Sequence, residues 1–159
     1  MDIASLASSL EASSMAAWLR GSMWAYPFVN LVHLFGLTLL IGPIALLDLR
    51  LLGLGRRFSL VDVSATLTPW AVAGLLMLFV SGCLLFSADA VPLHKNLLLQ
   101  IKLACIVLAL VNALAFRRLW THRLPEWDVH PPLSGRIQAA LSLALWPAAG
   151  TLGRLLAYR

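Results

Sequence analysis

The 159-residue sequence predicts an all-α fold: an integral membrane four-helix bundle preceded by a short amphipathic interfacial helix. Three observations lead there. Hydrophobic residues make up 60% of the chain and charged residues 12%, against about 25% charged in an ordinary soluble domain. Four apolar stretches are each about as long as a helix needs to cross a bilayer, roughly 20 residues. Most of the sparse charge falls between those stretches. A water-soluble fold of this size leaves much of its surface exposed. A cytosolic enzyme, a disordered chain and a secreted disulfide scaffold are therefore poor fits to a mean hydropathy of +0.86.

The chain reads as a single membrane domain over 1–159. Residues 3–19 form the interfacial helix, because Leu6, Leu10 and Trp18 recur at helical spacing among Ser and Glu. Asp2 and Glu11 stand where a cleavable leader would carry a basic region, so the spans themselves are expected to direct insertion. The spans cover about 28–47, 69–86, 97–116 and 137–156. Helices are the expected spanning form, since lipid leaves the backbone to satisfy its own hydrogen bonds. Pro27 opens the first span, where a proline is tolerated. Pro147 kinks the fourth. Pro125, Pro131 and Pro132 mark a loop before it. Ala140, Ala144 and Ala148 predict a close-packing stripe on span four, as Ala109 and Ala113 do on span three.

Arginines set the direction. Arg50, Arg56 and Arg57 follow span one, and Arg117, Arg118, Arg123 and Arg136 lie between spans three and four. The opposite side carries Arg20, Lys95, Arg154 and Arg159. The positive-inside rule places the Arg-rich loops in the cytoplasm and both termini outside. The net charge of +5 thus reports topology, and no nucleic-acid partner is expected. Cys83 and Cys105 lie in apolar runs without a CxxC pair and read as small core residues. Asp48 and Arg50 end span one and Arg117 and Arg118 end span three, and an ion pair between these two ends is expected to fix the helices.

Two ionisable side chains fall well inside spans, His33 and Lys102. Such groups are expensive in lipid and mark functional sites by default. His33 lies six residues past Pro27 and Lys102 six past Asn96, so each is about 9 Å deep at about 1.5 Å per residue. Ser81 returns to that layer from span two. Tyr26, Asn30 and His33 share one helical stripe, and Gln100 neighbours Lys102. Tyr26, Asn30, His33, Ser81, Gln100 and Lys102 are therefore the candidate pocket, with His33 as its metal ligand. The plainer readings are an interhelical hydrogen bond for His33 and snorkelling for Lys102.

Neutral imidazole binds haem iron and copper. One histidine serves a five-coordinate haem, and no second intramembrane histidine offers a bis-histidine site. A copper site from His33, Cys83 and Met77 would span about 9 Å of depth between Cys83 and Met77. No HExxH, GxSxG, P-loop or dinucleotide fingerprint occurs, so no catalytic residue is assigned. Haem b or copper, handled for redox or metal chemistry, is the first expectation. A scaffold subunit of a larger membrane complex, without cofactor, is the second. An oligomeric small-molecule or ion permease is the third. The bilayer is the expected partner, with a homo-oligomer or membrane-complex partner beside it.

The runs YPFVNLVHLFGL at 26–37, DLRLLGL at 48–54, PWAVAG at 69–74 and SGCLLF at 81–86, with the Lys102–Asn112 stretch, resemble an uncharacterised family of small four-helix bacterial inner-membrane proteins. The histidine of the first span and the lysine of the third are more distantly similar to the HemJ protoporphyrinogen oxidase family and the CopD copper-resistance membrane domain. That resemblance implies His33 as haem ligand and Lys102 near substrate or haem carboxylates. The N-terminal helix and the surrounding motifs depart from that pattern.

Overall fold

A computed structural model describes residues 3–156. The described residues form seven α-helices and one 3-10 helix, with no strand among them. Their order is α1 (Ile3–Glu11), α2 (Ser14–Gly21), α3 (Ala25–Leu52), α4 (Leu60–Ala88), α5 (Ala90–Leu93), α6 (Leu97–Trp120), the 3-10 helix Thr121–Glu126, and α7 (Leu133–Leu156). Helices α3, α4, α6 and α7 are long and apolar enough to cross a membrane, and the chain is a multi-pass membrane protein.

The helices overrun the predicted spans. Helix α3 has 28 residues, about 42 Å at the helical rise, against a hydrocarbon core of about 30 Å. The helix is therefore longer than the core it would cross, and Asp48 and Arg50 lie in its last turns. Pro69, which marks the start of the second predicted span, lies inside α4. A proline removes one backbone hydrogen bond, and the turns before it continue the helix into the polar layer. Pro43 and Pro147 likewise lie within α3 and α7.

The predicted helix over 3–19 is two helices. Ser13 takes extended backbone and its hydroxyl accepts from Ala16 N, 3.3 Å away. A serine cap satisfies an amide that a fresh helix start leaves orphaned, so the chain turns there. Both helices fold over the end of the bundle where α4 gives way to α5. Arg20 donates to the carbonyls of Ala88 and Glu11, each at 2.8 Å, and the Glu11 carboxylate accepts from Val91 N at 2.7 Å. Leu19 is buried with Ala25 and Ala88. Leu6, Leu10, Met15 and Trp18 stay exposed, the apolar face that an interfacial helix turns to lipid.

Within the bundle α3 packs along α4, α6 along α7, and α3 also meets α7. The order in space is thus α4, α3, α7, α6. The α3–α4 crossing is unusually close at Gly36 and Gly74. A Cβ on Gly74 would stand 2.6 Å from Leu40 N and 2.8 Å from Gly36 O. Small residues permit such approach in membranes, where packing and not hydrophobicity drives association. Leu40, Ala71, Ala109 and Trp146 form the central core. A second core at the Arg-rich end gathers Leu51, Leu60, Leu124, Trp127 and Ala139. Trp127 Nε1 donates to Leu51 O at 3.0 Å, and its ring lies against Gly135.

The packing face of α7 differs from the predicted stripe. Ala140, Ala144 and Ala148 are exposed, while Gly135, Ala139, Ser142, Trp146 and Ala149 are buried. Burying Trp146 and the polar Ser142 sets the rotation of the helix. On α6, Ala109 is buried but Ala113 is exposed.

Candidate functional site

His33 stands on α3 and reaches across to α4. Its Nδ1 lies 2.9 Å from Ser81 Oγ, and Ser81 Oγ also donates to Met77 O at 2.5 Å. A hydroxyl has one proton. Since that proton goes to Met77, Ser81 accepts from His33, and Nδ1 carries the hydrogen. The neutral ring is then the Nδ1–H tautomer, and among the described residues nothing hydrogen-bonds to Nε2. Back-bonding of Ser81 to its own helix one turn earlier holds the oxygen in place. Ser81 is buried. Gly82 lets the imidazole lie against α4, since a Cβ there would meet His33 Cε1 at 3.4 Å.

Lys102 comes from the far side of the bundle. Its side chain runs along Gly153 of α7, where a Cβ would stand 3.0 Å from Nζ and 3.3 Å from Cε. Any larger residue at 153 would displace the ammonium. Lys102 is half-buried and close enough to His33 for the two to interact electrostatically. Among the described residues its Nζ has neither a hydrogen-bond acceptor nor a carboxylate partner. His33 and Ser81 thus meet directly, and Lys102 lies within electrostatic reach of His33 without touching it. Gly82 lies against His33 and Gly153 against Lys102, and the sequence reading missed both glycines.

The remaining candidates sit differently. Asn30 is half-buried one turn from His33. Tyr26 is exposed, and the charge within its reach is Asp89. Gln100 is exposed and its amide donates to His94 O at 3.4 Å. Cys83 is exposed, facing away from the Ser81 side of α4. Among the described residues no group of three His, Cys, Asp or Glu side chains comes together to hold a metal ion.

Polar contacts also gather at the Arg-rich end. Asp48 is 6% exposed, with Ser142 beside its side chain and, among the described residues, one carboxylate oxygen lacking a hydrogen-bond partner. Asn112 Nδ2 donates to Gln138 O at 2.9 Å, and Trp120 Nε1 to Gln138 Oε1 at 2.6 Å. The ion pairing expected with Arg117 and Arg118 does not form. Those arginines are exposed on α6, which packs on α7 and not on α3. Arg50 instead takes Asp128 in a two-pronged pair, at 2.9 and 2.6 Å, and donates from Nε to Phe58 O at 2.9 Å. The Arg50 guanidinium, by hydrogen bond and then by charge, holds the Asp128 carboxyl below the usual carboxylate range.

Comparison with protein-family models, with curated proteins and with solved structures finds no match.

Proposed function

We propose that the chain is a bacterial inner-membrane protein, with both termini periplasmic, that binds haem b at the His33–Lys102 layer. The observation that carries this reading is a pair of unmet valences at one depth. Among the described residues, His33 presents an oriented imidazole with no partner at Nε2, and Lys102 presents an ammonium with no carboxylate beside it.

The residues fit this group in three respects. A five-coordinate haem needs one imidazole, and Ser81 supplies the partner that fixes its tautomer and raises ligand basicity. Lys102 is a mobile point charge suited to a carboxylate, so it would hold a propionate. Exclusion of water from the bundle strengthens that attraction. Haem, when bound, supplies iron-centred electron transfer or oxygen chemistry. The chain's own share is to ligate through His33 Nε2, to orient the ring through Ser81, and to neutralise the anionic edge through Lys102. Copper has less in its favour, because Cys83 is exposed and among the described residues no group of three His, Cys, Asp or Glu side chains comes together.

Titration of purified protein with haem b tests the reading. A Soret shift saturating at one haem per chain is expected, lost in His33→Ala. Lys102→Gln should weaken binding roughly tenfold, about 1.4 kcal/mol. Binding indifferent to His33→Ala overturns the proposal and returns the chain to the scaffold reading.

A further inference from the structure

A second site lies at the other end of the bundle. Leu46, Leu49, Leu54, Phe58, Val63 and Leu67 line a half-open groove of about 370 Å³ between α3, α4 and the loop joining them. The lining is almost wholly apolar, and the volume falls in the ligand-pocket range of about 300–1,000 Å³.

The wall is built and held, not a chance gap. Gly53 and Gly55 take left-handed backbone, φ 110° and 67°, which only glycine adopts without strain. Gly53 N–H closes the end of α3 onto Arg50 O. Arg50, anchored by Asp128, grips Phe58 O and so pins the far side of the loop. Ser59 then caps α4 by accepting from Asp62 N.

The rim is cationic. Arg56 and Arg57 are exposed on this loop. Arg56 lies against Gly53, and Arg57 sits over the Phe58 ring, 4.8 Å from its centre. Arg136 reaches in from α7 to donate to Leu52 O at 3.3 Å. Asp128 and Asp62 are the carboxylates nearby, and Asp128 is already engaged by Arg50. Arginine prefers phosphate oxygens, which its fork meets two at a time. An apolar slot along two spans, topped by the exposed Arg56 and Arg57 guanidinium groups, of which Arg56 also feels the Asp128 charge, matches one occupant in both halves.

We infer that this groove binds an anionic phospholipid, one acyl chain lying along Val63 and Leu67 and the phosphate held by Arg56 and Arg57. Juxtamembrane basic residues attract anionic lipid generally; the groove makes the attraction a site with defined occupancy. The proposal is independent of the His33 layer.

Native mass spectrometry of the detergent-solubilised chain tests it, with phosphatidylglycerol and phosphatidylcholine of identical acyl chains as probes. One phosphatidylglycerol should be retained about tenfold more strongly than phosphatidylcholine. Arg56→Gln with Arg57→Gln should bring the two lipids to parity. These are exposed residues, so the fold survives their replacement. Val63→Trp should reduce both lipids by filling the slot. Arg123→Gln, which removes a charge at the same end but outside the groove, should change nothing. Equal retention of the two lipids by the unaltered chain overturns the inference. So does an Arg123→Gln effect as large as that of the double variant. Displacement of the lipid by glycerol 3-phosphate alone would reassign the arginines to a free phosphate ester and also overturn it.

Discussion

Replacing Gly74 by alanine should loosen the α3–α4 crossing and disturb the His33 layer two turns away. The added methyl would stand 2.6 Å from Leu40 N, and ordinary contact begins at 3.4 Å, so the helices must part by about 0.8 Å. The atoms it meets are backbone and cannot swing aside. Overpacking of this kind costs about 1–3 kcal/mol. Alanine recovers about 1 kcal/mol of helix propensity over glycine. The same opening carried to Ser81 stretches its 2.9 Å bond to His33 to about 3.7 Å, beyond hydrogen-bonding range, and forfeits about 1 kcal/mol more. The net loss is then about 1–3 kcal/mol, roughly 3 °C in Tm for each kcal/mol. Thermal unfolding in detergent micelles reads it. Gly42→Ala is the matched control, because a Cβ at Gly42 meets nothing within 4 Å, and it should stabilise by up to about 1 kcal/mol. If Gly74→Ala matched Gly42→Ala, the close crossing and its link to the site would be refuted.

Three further outcomes follow from named contacts. Ser81→Ala leaves His33 Nδ1–H without its acceptor and should cost about 1–3 kcal/mol, with haem affinity falling in the same variant while Ser81→Thr retains it; unfolding and haem titration together check this. Asp128→Asn should destabilise by about 1–3 kcal/mol, less than the roughly 3–5 of a fully buried pair, because Asp128 is 44% exposed while Arg50 is 4% exposed. Arg50 depresses the folded-state pKa of Asp128, so this stabilisation is present above the unfolded carboxylate value near 3.9 and fades as pH falls through the folded one; a stability–pH curve should lose that acid limb in Asp128→Asn. Trp127→Ala should be the most damaging, about 3–5 kcal/mol, since the ring is 2% exposed and its Nε1 ties the connector to Leu51 O; chemical denaturation measures it.

Depth along each helix was legible in the sequence, and rotation about the helix axis was not. The helical rise alone brought His33, Ser81 and Lys102 to one level; His33 and Ser81 do meet, and Lys102 comes within electrostatic reach of His33. Gln100 is close to that level but its helix turns it outward, and Tyr26, seven residues before His33, is exposed about 10 Å farther along α3. The same limit applies to Ala140, Ala144 and Ala148, whose spacing fits a packing face that α7 turns away from the core. Which face goes inward is decided by partners, here the burial of Trp146 and the Ser142 contact with Asp48. Gly153 left a faint signal in the small residues Ala149 and Gly150 before it. Its use, room for a lysine from another helix, depends on α6 lying beside α7. The Arg50–Asp128 pair joins residues 78 positions apart, and only the folded connector brings them together. Ser13 and Ser14 did carry a readable cap, and a break of the N-terminal helix there follows from ordinary capping chemistry.

The central claim is that a membrane-spanning bundle brings α3, α4 and α6 to a common layer at His33, Ser81 and Lys102. Spin labels on the exposed neighbours Leu34, Val80 and Leu103, in a chain freed of Cys83 and Cys105, report their bilayer depth by collision with oxygen and a water-soluble relaxant. The three depths should agree within about one helical turn, roughly 5.4 Å. Depths differing by more than two turns, or a label at 103 as accessible to the aqueous relaxant as one in a loop, would contradict it.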